Sequence, residues 1–254
     1  MTPNGTPVLR SSPTGPRPFD FDRVVVSEVS RHFGRRKALA KLSVVFEAGQ
    51  LVGLLGPNGA GKSTLLSILA TLAVPTTGEV RYGGATAREA GAEIRARLGS
   101  LGHDLYLYPE LTARENLEFF ARLYRIADPA GHVASALSRA GLAERADDLV
   151  SGFSRGMRQR LALERALLHG PRLVLLDEPF TGLDDASTHA LVTRLATLRA
   201  EGAVVVLTTH DLDVVDGVID RAVVLRDGRL AAATTACAGL RDWYRAAVGG
   251  GAAS

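Results

Sequence analysis

The run Gly56-Pro57-Asn58-Gly59-Ala60-Gly61-Lys62-Ser63 constrains this chain more than any other segment. It fits the pattern G-x-x-x-x-G-K-[ST], and its surroundings fit too: an apolar stretch, Leu51–Leu55, precedes it, and a helix-like stretch, Lys62–Leu72, follows. Glycines at positions 56, 59 and 61 let the backbone N–H groups, including those of Asn58 and Ala60, turn inward as an anion nest. The helix that follows adds partial positive charge at its N-terminus. Lys62 supplies a full charge for β- and γ-phosphates, while the Ser63 hydroxyl, with Thr64 beside it, can ligate Mg²⁺. From average residue frequencies a chance match in a chain of this length is on the order of one in a hundred.

A second feature belongs beside the first. The buried-strand run Leu173–Leu176 leads straight into Asp177-Glu178. Two acids at the carboxyl end of a buried strand are expensive unless something uses them, and in open parallel sheets that edge is where ligands bind. Asp177 suits a Mg²⁺ ligand and Glu178 suits the base that polarises an attacking water.

The 254 residues suffice for one large or two small domains with a proper core. With 46% hydrophobic and 22% charged residues, most of the chain should be globular. The formal charge of +3 and the absence of a basic block give no reason to expect nucleic acid as a partner. Cys237 is the only cysteine, which excludes a disulfide framework and a cysteine-based zinc site, and points to an intracellular protein. No apolar run is long enough to span a bilayer. Pro3, Pro7, Pro13, Pro16 and Pro18 among small polar residues predict a flexible tail over residues 1–20, and Gly249–Ser254 predict a short flexible end.

The body, residues 22–235, opens with extended segments at Val24–Val26 and Leu42–Phe46 about a turn at Gly34–Arg36, with a hairpin arm at Glu79–Tyr82. From about residue 86 to 160 the texture turns helical. Helices are predicted near Arg88–Leu98, Thr112–Tyr124, His132–Ala140 and Ala143–Leu149, the second opened by a Thr112/Glu115 capping box. Strand and helix then alternate: helix Arg155–Leu168, strand Leu173–Leu176, helix Ala186–Arg199, strand Ala203–Thr208, and a hairpin about Asp227-Gly228. The expected class is α/β: a mixed, largely parallel sheet core, an N-terminal antiparallel β subdomain, an inserted helical subdomain, and a C-terminal helix and flexible end within residues 236–254. His32, His132, His169 and His189 show no metal spacing and are expected at the surface.

Phe153-Ser154-Arg155-Gly156-Met157, followed by Arg158-Gln159-Arg160, resembles the signature of the ATP-binding-cassette ATPases, in a variant of Leu-Ser-Gly-Gly-Gln. Thr181-Gly182-Leu183-Asp184 is similar to that family's D-loop, His210 to its switch histidine and Phe33 to the aromatic that stacks on adenine. The resemblance spans roughly residues 22–232 in the family's order. It implies a P-loop NTPase fold of the cassette type, ATP and Mg²⁺ as cofactors, and ATP hydrolysis. It also implies a homodimer or heterodimer in which Ser154, Arg155 and Gly156 of one subunit close over the ATP of the other, with Asp184 nearby. Where the family usually has the Q-loop glutamine this chain has His103, whose neutral imidazole can accept from water or contact Mg²⁺. His210 is expected to sense the γ-phosphate.

Leu101–Tyr108, Leu111–Leu117 and Phe153–Arg160 are similar to the haem-exporter ATPase of cytochrome c maturation. That similarity implies a peripheral subunit on the cytoplasmic face of the membrane, docked on transporter membrane subunits near Leu105–Tyr108, with no direct haem binding. The alternatives are the ATPase of another exporter of the ABC-2 type, moving a drug, lipid or polysaccharide, or a soluble cassette ATPase without a transport role.

Overall fold

Two long strands, β1 (Arg23–Phe33) and β2 (Arg36–Glu47), open the fold and pair antiparallel across the Gly34 turn. The computed structural model describes residues 19–235 and 239–249. Strand β3 (Leu51–Leu55) is buried along its whole length and feeds helix α1 (Lys62–Leu69). Strands β4 (Thr77–Tyr82) and β5 (Ala85–Thr86) complete an antiparallel sheet of order β2-β1-β4-β5. Helix α2 (Ala87–Arg95) and strand β6 (Leu98–Leu101) follow, then helices α3 (Ala113–Leu123), α4 (Pro129–Arg139) and α5 (Arg155–Leu167). Strand β7 (Leu173–Asp177), helix α6 (Asp185–Ala200), strand β8 (Val204–Thr208) and the short helix α7 (Leu212–Val215) come next. Strands β9 (Arg221–Arg226) and β10 (Arg229–Thr234) and helix α8 (Leu240–Gly249) end the described chain.

The second sheet has the order β10-β9-β3-β8-β7-β6, parallel except for the β9–β10 hairpin. Each central strand is apolar on both faces because both faces are covered. On one face, Leu65 and Leu69 of α1 pack between the two sheets with Phe46, Tyr82 and Val206. The buried Tyr82 hydroxyl donates to Leu69 O at 2.7 Å, tying the antiparallel sheet to the last turn of α1. On the other face, Leu163 of α5, Leu191 and Leu195 of α6 and Leu240 of α8 cover Val205 and Leu207. A third cluster, with Leu117, Phe120, Val133, Leu137 and Leu161, holds α3, α4 and α5 together. Full burial of side chains of this size stabilises by about 1.5–3 kcal/mol each.

Several sequence expectations need correction. The predicted helix Arg88–Leu98 ends at Arg95, and Leu98–Leu101 forms the edge strand β6, paired parallel with β7. A side chain at Gly99 would meet Ala166 O at 2.5 Å, so this strand packs at backbone distance from the end of α5. Residues 87–101 therefore lie with the sheets, whereas the helical insertion was expected from about residue 86; the helices sharing their own core begin at Ala113. No α-helix forms over Ala143–Leu149, only a 3-10 turn at Ala143–Arg145. Its backbone bonds outward instead: Ala113 N–H donates to Asp148 O, Arg114 N–H to Ala146 O, and Val150 N–H to Leu111 O. Of the expected tail over residues 1–20, Phe19 packs on the core and Asp20 pairs with Arg172 at 2.8 Å; residues 1–18, Cys237 and residues 250–254 lie outside the described residues.

His32, His132 and His189 are exposed, but His169 is not. Its Nε2 lies 2.9 Å from Leu98 O and its ring stacks on Tyr124 at 3.8 Å. Burial lowers its pKa from 6.5 to about 4. The unfolded chain therefore takes up a proton between those values that the folded one refuses, so stability falls as pH drops from 6.5 to 4. The full effect is about 3 kcal/mol. Urea unfolding of wild type and His169→Phe at pH 7 and pH 4 should show the variant losing less stability on acidification; equal losses would refute the assignment.

Candidate functional site

The phosphate loop joins the end of β3 to the start of α1, at the carboxyl edge of the parallel sheet. Gly56 has φ 142° and Gly61 φ 105°, and side chains there would meet Leu225 O at 2.2 Å and Ala38 O at 2.6 Å. Only glycine serves at either position. The loop is braced from outside by the β9–β10 turn: Gly228 N–H donates to Ala60 O at 3.0 Å, and Ala40 N–H donates to Gly228 O at 2.8 Å. Lys62 is buried, its ammonium donating to Gly56 O at 2.7 Å and Pro57 O at 3.2 Å. Burial holds its pKa below the usual lysine value, while the carboxylates of Glu178 and Asp177 act in the opposite direction.

Asp177 and Glu178 stand at the end of β7, next to β8. Thr208, fully buried at the end of β8, joins them: its hydroxyl donates to Asp177 Oδ1 at 2.5 Å and accepts from Glu178 N–H at 3.0 Å. Glu178 adopts φ 51°, a left-handed conformation that costs a non-glycine residue about 1 kcal/mol or more. That conformation turns its carboxylate toward His210, whose N–H donates to Oε2 at 3.2 Å and whose Nε2 lies 3.2 Å from Oε1. A cleft of about 350 Å³ gathers these parts, with Phe33, Asn58, Lys62, Asp177, Glu178 and His210 among its walls. Ser63 and Thr64 also line it, and Phe33 is half exposed at its rim, with the Arg31 guanidinium 4.6 Å from its ring centre. His103 is exposed and lines an adjoining cavity that it shares with Ser63 and Asp177.

Ser154, Arg155 and Gly156 are not among the walls of that cleft. Ser154 caps α5, its hydroxyl accepting from Met157 N–H at 3.3 Å, and both Ser154 and Arg155 are exposed. Asp184 caps α6 by accepting from Ser187 N–H at 2.8 Å, and the Ser187 hydrogen bonds lower its pKa. The lone chain thus brings the N-terminus of α1 to the cleft, while that of α5 is not among its walls. Sequence reasoning missed Thr208, Gly228 and Arg165. Arg165 is buried and donates to Ser100 O at 3.0 Å, with its guanidinium 5.8 Å from the Tyr106 ring and 5.0 Å from that of Phe120; it ties the approach to His103 to the helical cluster.

A nest of inward N–H groups, a buried ammonium and a pair of strand-end carboxylates can hold a nucleoside triphosphate with its metal. The donors suit Mg²⁺, a hard cation that takes hydroxyl and carboxylate oxygens such as those of Ser63 and Asp177. Residues 39–181 match the profile of the ABC transporter family. The chain is 34% identical over 214 residues to the ABC transporter ATP-binding protein NatA of Bacillus subtilis, covering 82% of this chain and 87% of that protein. It is 38% identical over 205 residues to the Nod factor export ATP-binding protein I of Rhizobium meliloti, covering 80% of this chain and 61% of that protein. A dimeric ATP-binding cassette in a post-hydrolysis state, bound to ADP and Pi, superposes with a TM-score of 0.76 at 29% identity, over 84% of this chain and 98% of its own.

Proposed function

Because the chain belongs to the ABC transporter family and is an ATP-hydrolysing subunit of that kind, we propose that it powers the membrane subunits of an exporter whose cargo is not haem. The name of the relative Nod factor export protein I supports export of another cargo over the haem reading suggested by Leu101–Tyr108 and Phe153–Arg160, and the name of NatA does not mention haem. No helix among the described residues is long and apolar enough to cross a membrane. Membership in the transporter family supports a place at the cytoplasmic face of the membrane, on partners that supply the path.

The observation that carries the mechanism is the separation of Ser154 from the cleft of its own chain. A second copy, or a related cassette, turned head to tail brings its Ser154, Arg155 and Gly156 to the open side of that cleft. Phe33 stacks on the adenine. Lys62 leaves the carbonyls of Gly56 and Pro57 for the β- and γ-phosphates. Ser63 and Asp177 would hold Mg²⁺, with His103 at the adjoining wall; when bound, the ion would supply positive charge against the phosphate oxygens. Glu178 takes the proton of the attacking water, and His210, fixed against the same carboxylate, contacts the γ-phosphate. Asp184 begins the helix that faces the partner.

Tyr106, which shares a cavity wall with His103, and Tyr108 are both exposed, and their rings are the docking surface for the membrane subunits. In reconstituted transporter, Tyr106→Asp with Tyr108→Asp should remove most stimulation of ATPase activity by the membrane subunits while basal turnover changes less than about threefold. Unchanged stimulation would overturn the docking assignment, and loss of c-type cytochromes on deletion of the gene would restore the haem reading.

A further inference from the structure

A second cleft, of about 280 Å³, opens between α5 and α6 and shares no residue with the nucleotide cleft. Its size is close to the lower bound of small-molecule pockets. Leu163 of α5 and Leu183 and Leu191 beside and on α6 give it an apolar floor. Its charges are Arg139, Arg160, Arg194 and Glu164, three cations against one anion.

Glu164 is 3% exposed, and its charge is already answered: Arg139 Nε and Nη2 both lie 2.8 Å from Oε2. Arg194 Nε stands 3.8 Å from Oε1, too far for a hydrogen bond. Arg160 gives Nη1 to Ala140 O at 2.8 Å. The Nε groups of both Arg160 and Arg194 are buried without a hydrogen-bond partner. A guanidinium is matched best by a planar or tetrahedral oxyanion, and the lining carries more guanidinium charge than Glu164 answers.

We propose that this cleft binds a small amphipathic anion, a carboxylate or sulfonate on an apolar body, with the head between Arg160 and Arg194 and the body on the leucines. An uncharged alcohol of the same length brings no charge to match the arginine wall, and a cation meets the net positive wall. The site stands apart from the nucleotide chemistry, although α5 begins at Ser154 and Gln159 Nε2 donates to Pro179 O, next to Glu178, at 3.3 Å.

The probe is 8-anilinonaphthalene-1-sulfonate, followed by fluorescence on the full chain, with decanoate and decanol as competitors. Wild type should bind one dye per chain, displaced by decanoate at concentrations at least tenfold lower than decanol needs. Ala190 is exposed and lines the cleft, so Ala190→Trp should fill it and weaken dye binding at least tenfold while ATP turnover persists. Should that variant fail to fold, Arg194→Met tests the head group alone and should weaken dye and decanoate at least tenfold. Wild-type dye affinity in either folded variant, or displacement by decanol as effective as by decanoate, overturns the proposal.

Discussion

Glu178→Gln should lower ATP turnover by about a thousandfold, within the range a positioned general base supplies. The amide keeps the shape of the carboxylate and an oxygen to accept the His210 N–H, so thermal stability should stay close to wild type. What it loses is proton affinity. ATP should still bind, and because the nucleotide persists between two subunits, a dimer should accumulate with ATP that wild type does not retain. Steady-state phosphate release and light scattering with ATP read both effects. Wild-type turnover in the variant would show that another group takes the proton.

Ser154→Arg should abolish turnover, by a factor of at least about a hundred, on the scale of losing one anion-stabilising contact. ATP affinity of the single chain should remain, because Ser154 lies outside the cleft of its own subunit. Mixing Ser154→Arg with Lys62→Ala separates the two halves: a head-to-tail pair leaves one composite site with both defects and one with neither, so part of the activity returns. If single-chain ATP affinity fell with turnover, Ser154 would be serving its own subunit's nucleotide. If the mixture recovered nothing, the pairing would not be head to tail.

Local chemistry was the legible part of this chain. The glycine run, the acid-tipped strand and the alternation after Arg155 each announce themselves because residue type alone demands the backbone: few residues other than glycine tolerate φ 105° against a carbonyl, as at Gly61. What escaped was decided at long range. Leu98–Leu101 is too short for any period to register and becomes a strand because β7 lies beside it. Ala143–Leu149 has helix-forming composition, yet its carbonyls are claimed by Ala113 and Arg114. His169 looks like a surface histidine until Tyr124 and Leu98 close over it. Thr208 reads as the last residue of a strand, and its part in holding Asp177 and Glu178 follows only from β7 and β8 being neighbours. Membership in a transporter family was visible in the motifs; the haem cargo suggested by Leu101–Tyr108 and Phe153–Arg160 finds no support in the names of the relatives.

The bracing of the phosphate loop by Gly228 has a bearing on biosynthesis. On the ribosome, all eight residues of the glycine run have been translated by Ser63, yet the peptide groups that support them, and both sheet neighbours of β3, arrive more than a hundred residues later. A nascent chain thus carries the consensus long before it owns the cradle, and the nucleotide can reward folding only near the end of translation.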